Sequence, residues 1–597
     1  MFRTKALVVL FVSFLVFSLY GSVSAANRDV CSVGCSYSSI QSAISAASSG
    51  DVIRLAQGKY FERVSITSSA SVTIQGGWNS GFTTRSSDPS LTVIDGLGLG
   101  SVFYIYPSSG ATVNLTIDGL TITGGLNNNH GGGVYAFAYT DASSSSDTTL
   151  NLILTNNIIT KNEAYYNGGG IYIYASTYSD RSSKINLTLT NNKINQNEAL
   201  YGGGIYITGY TSTGYSGRSA IDLSIEGNEI NGNVAGYGEG GIYTTFYRTD
   251  YKSSFIKSNK ITGNTATYYG GVTIDFSEGT SSTSSPFEII NNLVATNWGK
   301  SSLGGVTISS YKTSPTVSFI NNTVTANNGV GLWVDSSGES GSPDNFTLTL
   351  KNNIIKGNVT SDSEISLYNY SNGNLVTNSK GNLLGTSTVS GTTYNDLGNL
   401  TGDPTLGEDF HLKSGSSCIN FADATVAPAT DIDGHARVGA PDSGAFEYQG
   451  SNFHAQMTPP SNTVEQEYPP TKEPVISSSP LAARPLATGN VEGGTLSIEI
   501  ALPQFTAGVD AYVVAYAPSI DPVNLFFIAP DLSLHTLASS GPVKWKSGIT
   551  SAFDESIYGD IPLSSLLKGK YYLSLIVTPQ NTPGMAYYRY DTYFVVQ

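Results

Sequence analysis

Apolar residues in this chain recur in short runs that alternate with polar residues, and one arrangement of them returns along most of the sequence. A six-residue core, Asn-x-(Ile/Val)-x-x-Asn, recurs at intervals of 30 to 36 residues. The cores occupy residues 157–162, 192–197, 228–233, 259–264, 292–297, 322–327 and 353–358. Self-similarity at a period of this length predicts a solenoid.

A glycine cluster and an alternating strand follow most cores, as in GGGIYIYA and GGGIYITG. Alternation with period two predicts that every second residue faces the interior. The predicted inward residues are Val134, Ile171, Ile205, Ile242, Val272, Val306 and Leu332. The predicted outward column, facing solvent, is Tyr135, Tyr172, Tyr206, Tyr243, Thr273, Thr307 and Trp333, with Phe137 and Tyr174 beside it.

A third apolar strand precedes each core, as in TTLNLILTNN, so each repeat holds three short strands separated by Asn and Gly corners. This pattern predicts an all-β fold in which each repeat is one coil of a parallel β-helix. We expect each core asparagine to adopt the left-handed backbone of a tight corner and to hydrogen-bond the asparagine one coil away, which would build a ladder.

The repeat region has distinctive ends. Before it, an amphipathic pattern predicts a short helix that covers the open end of the core with Ile40, Ala43, Ile44 and Ala47. After it, the segment TDIDGHARVGAPDSGAFEYQG is predicted to close the array.

Several segments of the sequence resemble those of a known class of proteins. The entry segment GCSYSSIQSAISAASSGDVIRLAQGKYFE, the DGLTITGG and GGGIY repeats and the closing DIDGHARVGAPDSGAFEY together resemble bacterial secreted right-handed β-helix proteins of the pectate-lyase-like superfamily. The closing segment resembles the choice-of-anchor Q type, and the coils are similar to polymorphic outer membrane protein repeats. The resemblance covers roughly residues 30 to 449 and implies a fold rather than an activity, because its members include adhesins, surface proteins and polysaccharide-active enzymes.

Composition shifts divide the rest of the chain. A basic start, an apolar run and Val23-Ser24-Ala25 predict a signal peptide over residues 1–25, and hence an exported, secreted or cell-surface protein. We assign residues 26–97 to the cap and first coils, and residues 98–450 to the β-helix with its closing cap. A Pro-rich linker is predicted over 451–488 and a small β-sandwich accessory domain over 489–597.

Charge and cysteine content limit the partners. A formal net charge of -15 makes nucleic acid an improbable partner, because phosphate binding needs a basic surface. After the signal, the sequence contains no apolar stretch long enough for a transmembrane helix. Cys31 and Cys35 are spaced so that a disulfide between them would close a small loop, and Cys418 is then the remaining cysteine.

Charged residues give few candidates for catalysis. A polysaccharide lyase needs a Lys or Arg base near carboxylates, and the local mixture is Asp180, Arg181 and Lys184, on a loop between coils. The signatures typical of polygalacturonases are lacking, and His130 before Gly131 is half of one of them. We favour solvated loop charges for the first group and a corner histidine bonded to neighbouring backbone for His130.

Glu163 and Glu198 occupy the same position in successive coils and are therefore predicted to stack. Two adjacent carboxylates can share a proton and act as acid and base. Lys161 and Lys193 lie beside them in the sequence, which favours ordinary surface pairing.

The motif DIDGH offers Asp431 and Asp433 as oxygen ligands, with Asp442 and Glu447 nearby. A regular EF-type ligand spacing is lacking. We therefore favour a capping network in which Arg437 pairs with Asp431 or Asp442. Bound Ca²⁺ is the alternative, and no other cofactor is expected.

The outward aromatic column is the most distinctive surface feature. Aromatic rings in a row can stack on the apolar faces of sugar rings. The alternative is that they stabilise the sheet by cross-strand contacts. The candidate glycan-binding residues are Tyr135, Tyr172, Tyr174, Tyr206, Tyr243 and Trp333.

We therefore expect a non-catalytic, exported β-helix scaffold for adhesion or glycan binding, with a polysaccharide or cell-surface glycan as partner. A polysaccharide lyase or glycoside hydrolase acting in a groove is the first alternative, and a structural surface or matrix protein is the second. An enzyme should bring charged residues from neighbouring coils together, whereas an adhesin should show a flat face without perturbed carboxylates.

Overall fold

The computed structural model describes residues 25–280, 285–300, 303–338, 345–358, 363–371, 374–407, 409–437, 439–449, 495–502, 508–516, 526–531, 533–536, 543–550, 553–562, 569–580 and 588–596. The predicted signal peptide, except Ala25, and the predicted linker lie outside these residues. The chain divides into two compact units, one ending at Phe453 and the other beginning at His454. In the described part of the chain, no helix is both long and apolar enough to cross a membrane.

The N-terminal cap contains the predicted helix, Ile40–Ser45. The side chain of Ser39 caps it by accepting from the backbone N–H of Ser42, and the carboxylate of Glu62 accepts from the N–H groups of Ile40 and Gln41. Its apolar face joins the solenoid core, as the amphipathic pattern predicts. A disulfide joins Cys31 to Cys35 beside this helix, and Cys418 is a buried free thiol.

Three long parallel sheets and one short corner sheet form the solenoid. Among described residues the first sheet consists of Asn27–Val30, Val52–Ala56, Val72–Trp78, Thr112–Asp118, Thr148–Thr155, Ser183–Thr190, Ser219–Glu226, Thr249–Asp250, Phe255–Lys257, Phe287–Ile290, Thr316–Ile320, Asn345–Lys351, Asn374–Lys380 and Thr393–Asp396. The second consists of Gly58–Phe61, Thr92–Asp95, Thr121–Thr123, Ile158–Thr160, Lys193–Asn195, Glu229–Asn231, Lys260–Thr262, Leu293–Ala295, Thr323–Thr325, Ile354–Ile355, Leu383–Leu384 and Leu400–Thr401. A short 3-10 helix, Pro89–Leu91, precedes Thr92–Asp95.

The third sheet consists of Val64–Ile66, Phe103–Ile105, Val134–Thr140, Ile171–Thr177, Ile205–Thr211, Ile242–Tyr247, Val272–Ser277, Val306–Tyr311, Leu332–Ser337, Ile365–Ser371 and Ser387–Ser390. The corner sheet consists of Leu126–Asn127, Glu163–Ala164, Glu198–Ala199, Val234–Ala235, Thr265–Ala266 and Trp298–Gly299. Each strand pairs with its counterpart in the next coil, which confirms the predicted parallel β-helix.

The strand register aligns equivalent residues of successive coils. In the second sheet Ile159 pairs with Ile194, which pairs with Ile230, and in the third sheet Ile171 pairs with Ile205. These side chains are fully buried in one continuous core. The β-branched centre of every repeat core is thus stacked along the solenoid axis, as its alternation predicts.

Two asparagine ladders run beside this core and confirm the predicted coil-to-coil bonding. In each, the backbone N–H and the side-chain amide of one asparagine both donate to Oδ1 of the asparagine one coil on, as from Asn157 to Asn192 at 3.0 and 3.1 Å. The same side-chain amide donates to a backbone carbonyl of the preceding coil, Ile117 for Asn157, at 2.9 Å. Buried polar groups that would cost stability if left unpaired are therefore satisfied at both corners.

The left-handed corner residue is not the ladder asparagine, contrary to our expectation. The positive φ angles fall on the residue immediately before it, such as Asn156 at 53° and Asn191 at 54°. Lys161 and Gln196 take the same role before the second ladder. The preceding residue makes the turn, and the asparagine after it is free to bury its amide in the ladder.

The predicted closing segment lies along the outer side of the second sheet rather than across the end of the stack. Ala445 and Phe446 pack against the outward side chains of Leu293 and Ala295. Leu412 and Cys418 similarly cover outward apolar residues of later coils. The physical reason is that these coils carry apolar residues on the outer face as well as the inner one, and that face must be covered.

The C-terminal unit is antiparallel. Thr495–Leu502 pairs with Phe553–Pro562, and a second sheet contains Val509–Tyr516, Phe526–Ile528, Leu534–Thr536, Lys546–Ile549, Gly569–Pro579 and Tyr588–Val596. Tyr512, Val514 and Phe527 form a buried cluster in it. This arrangement is consistent with the predicted small β-sandwich.

Candidate functional site on the outer face of the third sheet

The outer face of the third sheet carries the predicted aromatic column. Tyr135, Tyr172, Tyr206 and Tyr243 pair in register from coil to coil. Their ring centroids lie 5.2, 5.6 and 4.8 Å apart in that order, and Tyr104 extends the row from the preceding coil. Ring contacts at these distances stabilise neighbouring strands.

Tyr172 points outward, but it does not face solvent as predicted. Its side chain is only 5% exposed, because the imidazole of His130 stacks on it with centroids 4.6 Å apart. Burial lowers the pKa of His130, and its Nδ1 atom has no hydrogen-bond partner among the described residues. His130 therefore lies in the aromatic row as a neutral ring that covers Tyr172.

A second outward row runs beside the first, two residues further along each strand. Phe137 stacks on Tyr174 with centroids 4.8 Å apart and planes 5° from parallel. Both side chains are half-buried. The predicted companions of the column thus form an aromatic row of their own in the early coils.

The aromatic column is interrupted in later coils, where Thr273 and Thr307 stand in register between Tyr243 and Trp333. We call this interruption the notch. Its floor is buried, with Thr273 2% and Thr307 4% exposed. Three strand spacings, about 14 Å, separate the two aromatic residues that bound it.

Two aspartates line the notch from the second row. Asp275 pairs in register with Ser309, and Ser309 pairs with Asp335 in the next coil. The phenolic hydroxyl of Tyr243 donates to Oδ2 of Asp275 at 2.8 Å. Oδ1 of Asp335 accepts from Oγ of Ser309 at 2.8 Å and from Nε1 of Trp333 at 2.9 Å.

Glu239 approaches the notch from the opposite side, immediately before the glycine cluster of its coil. It is 5% exposed, and its Oε2 atom has no hydrogen-bond partner among described residues. Burial, and in addition the charge of Glu239, raise the pKa values of Tyr206, Tyr243 and Tyr269, so its carboxylate lies near these rings. We call Glu239, Asp275 and Asp335 the carboxylate cluster.

Burial perturbs all three acids of the carboxylate cluster, and for two of them the charge of a neighbouring acid adds to the effect. Burial, reinforced by the charge of Asp275, raises the pKa of Glu239 to about 8. Burial and the charge of Asp335 raise the pKa of Asp275 to about 6, against the opposing effect of the Tyr243 hydrogen bond. Burial also raises the pKa of Asp335, whose charged form Ser309 and Trp333 stabilise.

The loop residues predicted as a lyase candidate do not reach this face. Asp180 accepts from the backbone and hydroxyl of Ser216 in the next coil, and Lys184 pairs with Asp222 on the first sheet at 2.9 Å. Arg181 is exposed on the loop. The three charges are therefore distributed over separate local contacts.

Glu163 and Glu198 stack in register in the corner sheet, as their coil position predicts. Glu163 is exposed and Glu198 is half-buried. They lie on a different face from the carboxylate cluster.

Asp431 and Asp433 lie together with His435, and their nearest ligand atoms are within 4.8 Å of one another. Asp431 accepts from the backbone N–H groups of Asp433, His435 and Glu447. Asp433 pairs through its two oxygens with Lys260 at 2.9 Å and with His411 at 2.8 Å.

Arg437 is the buried centre of this closing segment. Its carboxylate partner is Glu447 at 3.1 Å, rather than the expected Asp431 or Asp442. It reaches Asp442 only through the backbone carbonyl, also at 3.1 Å. Hydrogen-bond and ion-pair donors of the protein thus contact the carboxylate oxygens of Asp431 and Asp433, which were the candidate Ca²⁺ ligands.

Sequence reasoning missed the carboxylate cluster, although signals for it exist. Asp275 and Asp335 stand at outward positions of apolar strands, in VTIDF and LWVDS, where other coils carry Phe137 and Tyr174. Glu239 immediately precedes the glycine pair of its coil, as His130 precedes the glycine triplet of an earlier coil. Aligning coil positions for isolated acids would have found all three.

Comparisons with known proteins give one weak likeness. No protein-family profile matches the chain, and no curated protein matches it. Among solved structures, the crystal structure of pectate lyase Pel9A is similar at 14% sequence identity and a TM-score of 0.30, over 71% of this chain and 97% of that one. Values this low assign no activity.

Proposed function

We propose that this protein is an exported β-helix that binds a glycan along the outer face of its third sheet. The observation that carries the proposal is the aromatic column broken by the notch, where half-buried Tyr243 and Trp333 bound a floor of two threonines. Aromatic rings beside a polar floor suit a sugar chain, whose rings have apolar faces and hydroxyl edges.

Export to the cell exterior rests on the sequence of residues 1–25, and we propose it on that ground. The closing segment and the repeat motifs support, as a proposal, membership of the choice-of-anchor Q type of β-helix proteins with repeats like those of polymorphic outer membrane proteins. The C-terminal unit is proposed as an anchor or accessory module. For Asp431 and Asp433 we propose the capping network rather than the alternative of bound Ca²⁺, and a chelator experiment tests this choice.

The partly exposed rings of the column carry the proposed contacts. Tyr135, Tyr206, Tyr243 and Trp333 are half-buried, which leaves part of each ring accessible to a ligand. Tyr172 is covered by His130 and contributes stability to the sheet instead. The choice of Tyr206 and Trp333 for mutation follows from this difference.

Binding is tested by isothermal titration or affinity electrophoresis of the full chain against soluble neutral glycans: glucan, xylan, mannan and galactan. We expect Tyr206→Ala and Trp333→Ala each to weaken binding about fivefold, because each removes a stacking surface worth roughly 1 kcal/mol. Tyr165→Ala is the matched control, since Tyr165 is 65% exposed beside the corner sheet and outside the column. Equal binding by all variants, or none by the wild type, would contradict the proposal.

A further inference from the structure

The carboxylate cluster goes beyond what a binding surface requires. A stacking platform does not need three acids gathered from three different coils and partly removed from water, because burying carboxylates costs stability. Among the described residues, two polar groups at the notch also have no hydrogen-bond partner: Oε2 of Glu239, and Oγ1 of Thr273 on the notch floor. Their residues are 5% and 2% exposed. Such unsatisfied groups point to a polar ligand or a chemical role.

The spacing of the two aspartates suits one reaction. Asp275 and Asp335 share a register position with Ser309 between them, so two strand spacings, about 9.5 Å, separate their backbones. Inverting glycoside hydrolases hold their carboxyl groups roughly 6.5 to 9.5 Å apart to admit a water molecule, whereas retaining enzymes hold them about 5 to 5.5 Å apart. Two aspartates on neighbouring strands would instead have backbones about 4.8 Å apart, close to the shorter distance of the retaining enzymes.

We propose that Asp275 and Asp335 are the acid and base of an inverting glycoside hydrolase whose substrate, an uncharged polysaccharide, lies across the notch. This inference rests on the glycan binding proposed above. It does not require a metal ion, and in the described residues the three ligand atoms close enough to share one belong to Asp431, Asp433 and His435 instead.

The two roles follow from the hydrogen bonds. Asp335 accepts from Ser309 and Trp333, and both bonds stabilise its charged form, so it is the base. Asp275 feels the charge of Asp335 and holds its proton to higher pH, so it is the acid. Burial and the charge of Asp275 together raise the pKa of the neighbouring Glu239 to about 8.

The proposed step is balanced without a further reactant. Water attacks the anomeric carbon while Asp335 takes one of its protons, and Asp275 gives its proton to the glycosidic oxygen as the carbon–oxygen bond breaks. The products are a new reducing end of inverted configuration and a free hydroxyl group. Proton exchange with solvent then restores both aspartates.

The substrate class follows from charge. The charged groups that raise the pKa values of Glu239 and Asp275 are other carboxylates of the cluster. A uronic acid chain would bring further negative charge to this site, in a protein whose net charge is already -15. A neutral chain meets no such repulsion.

The test measures reducing ends released by the full chain from glucan, xylan, mannan and galactan, in parallel with the binding assay. We expect Asp275→Asn and Asp335→Asn each to lower release about 10²- to 10⁴-fold while the affinity changes less than threefold. Glu278→Gln is the matched control, because Glu278 accepts a hydrogen bond from Tyr247 at 2.8 Å just as Asp275 does from Tyr243. It should retain full activity.

Two further readouts separate the roles. Proton NMR of the first product should show inversion at the anomeric carbon. A dinitrophenyl glycoside of the hydrolysed sugar, whose leaving group needs no proton, should restore turnover to Asp275→Asn but not to Asp335→Asn.

Binding without release by the wild type would overturn this inference and leave the proposed binding function intact. Release that survives in both asparagine variants, or a retained anomeric configuration, would also overturn it. Absence of both binding and release would overturn the two proposals together.

Discussion

Tyr243 donates its phenolic proton to Oδ2 of Asp275 in the next coil at 2.8 Å. This bond connects the aromatic column to the carboxylate cluster, because Tyr243 belongs to the first and Asp275 to the second. The bond from Trp333 to Asp335 does the same. The strength of the Tyr243 bond sets how readily Asp275 holds a proton. The same pairing recurs at the strand end between Tyr247 and Glu278, which gives an internal comparison.

Tyr243→Phe should raise the pKa of Asp275 above its value of about 6. The mutation removes a donor that stabilises the carboxylate and leaves the ring to pack against Tyr206. Carboxyl carbon NMR of the full chain across pH 4 to 9 measures the shift. Tyr247→Phe should leave the Asp275 titration unchanged, and an unchanged pKa in Tyr243→Phe would show that the hydrogen bond is unimportant.

Glu239 should make the protein less stable as pH rises. Its folded pKa of about 8 lies above its unfolded value of about 4.3, so the folded state binds more protons between these values. Stability from this group is full below about pH 4 and is lost progressively as pH rises through 8. The largest loss of folding free energy from this group is about 1.4 kcal/mol for each unit of difference between its folded and unfolded pKa values.

Glu239→Gln should therefore gain stability over the wild type at pH 8 and lose that advantage at pH 4. Urea unfolding at the two pH values measures the difference, and Glu278→Gln provides the control at a partly exposed carboxylate. A stability gain that is the same at both pH values would mean that the substitution acts through packing rather than charge.

Asn259→Ala should destabilise the solenoid by about 3 kcal/mol or more. Asn259 is fully buried, and the mutation removes the Oδ1 acceptor of Asn228 and the donor to the Ile225 carbonyl. Each buried group left unpaired costs about 1 to 3 kcal/mol. Chemical denaturation followed by circular dichroism measures the loss.

Asn231→Ala is the comparison for the ladder, because Asn231 is exposed in the preceding repeat. We expect its effect to stay within about 0.5 kcal/mol. Equal effects of the two substitutions would mean that the ladder contributes no particular stability.

Treatment with EDTA should leave the melting temperature unchanged, since Lys260 and His411 pair with the oxygens of Asp433. Asp433→Asn, by contrast, should lower it by weakening the attachment of the closing segment to the second sheet. Differential scanning calorimetry of the full chain measures both. A fall of several degrees in EDTA, reversed by added Ca²⁺, would instead establish the cation site.

The amino-acid sequence by itself determined the parallel coils, their register and the asparagine ladders. These features repeat at a fixed interval, and each depends on contacts between equivalent residues of adjacent coils, so Ile159 predicts Ile194 and Asn157 predicts Asn192. The amphipathic helix at Ile40–Ser45 was predictable for a similar local reason.

Only the tertiary structure decided what departs from the repeat. Burial of Tyr172 depends on a histidine 42 residues earlier in the chain. The place of the closing segment depends on Leu293 and Ala295, which alternation puts on the outer face without showing what covers them. The carboxylate cluster joins Glu239, Asp275 and Asp335 from different coils, and its pKa shifts arise from burial and mutual repulsion, which exist only after the coils have stacked.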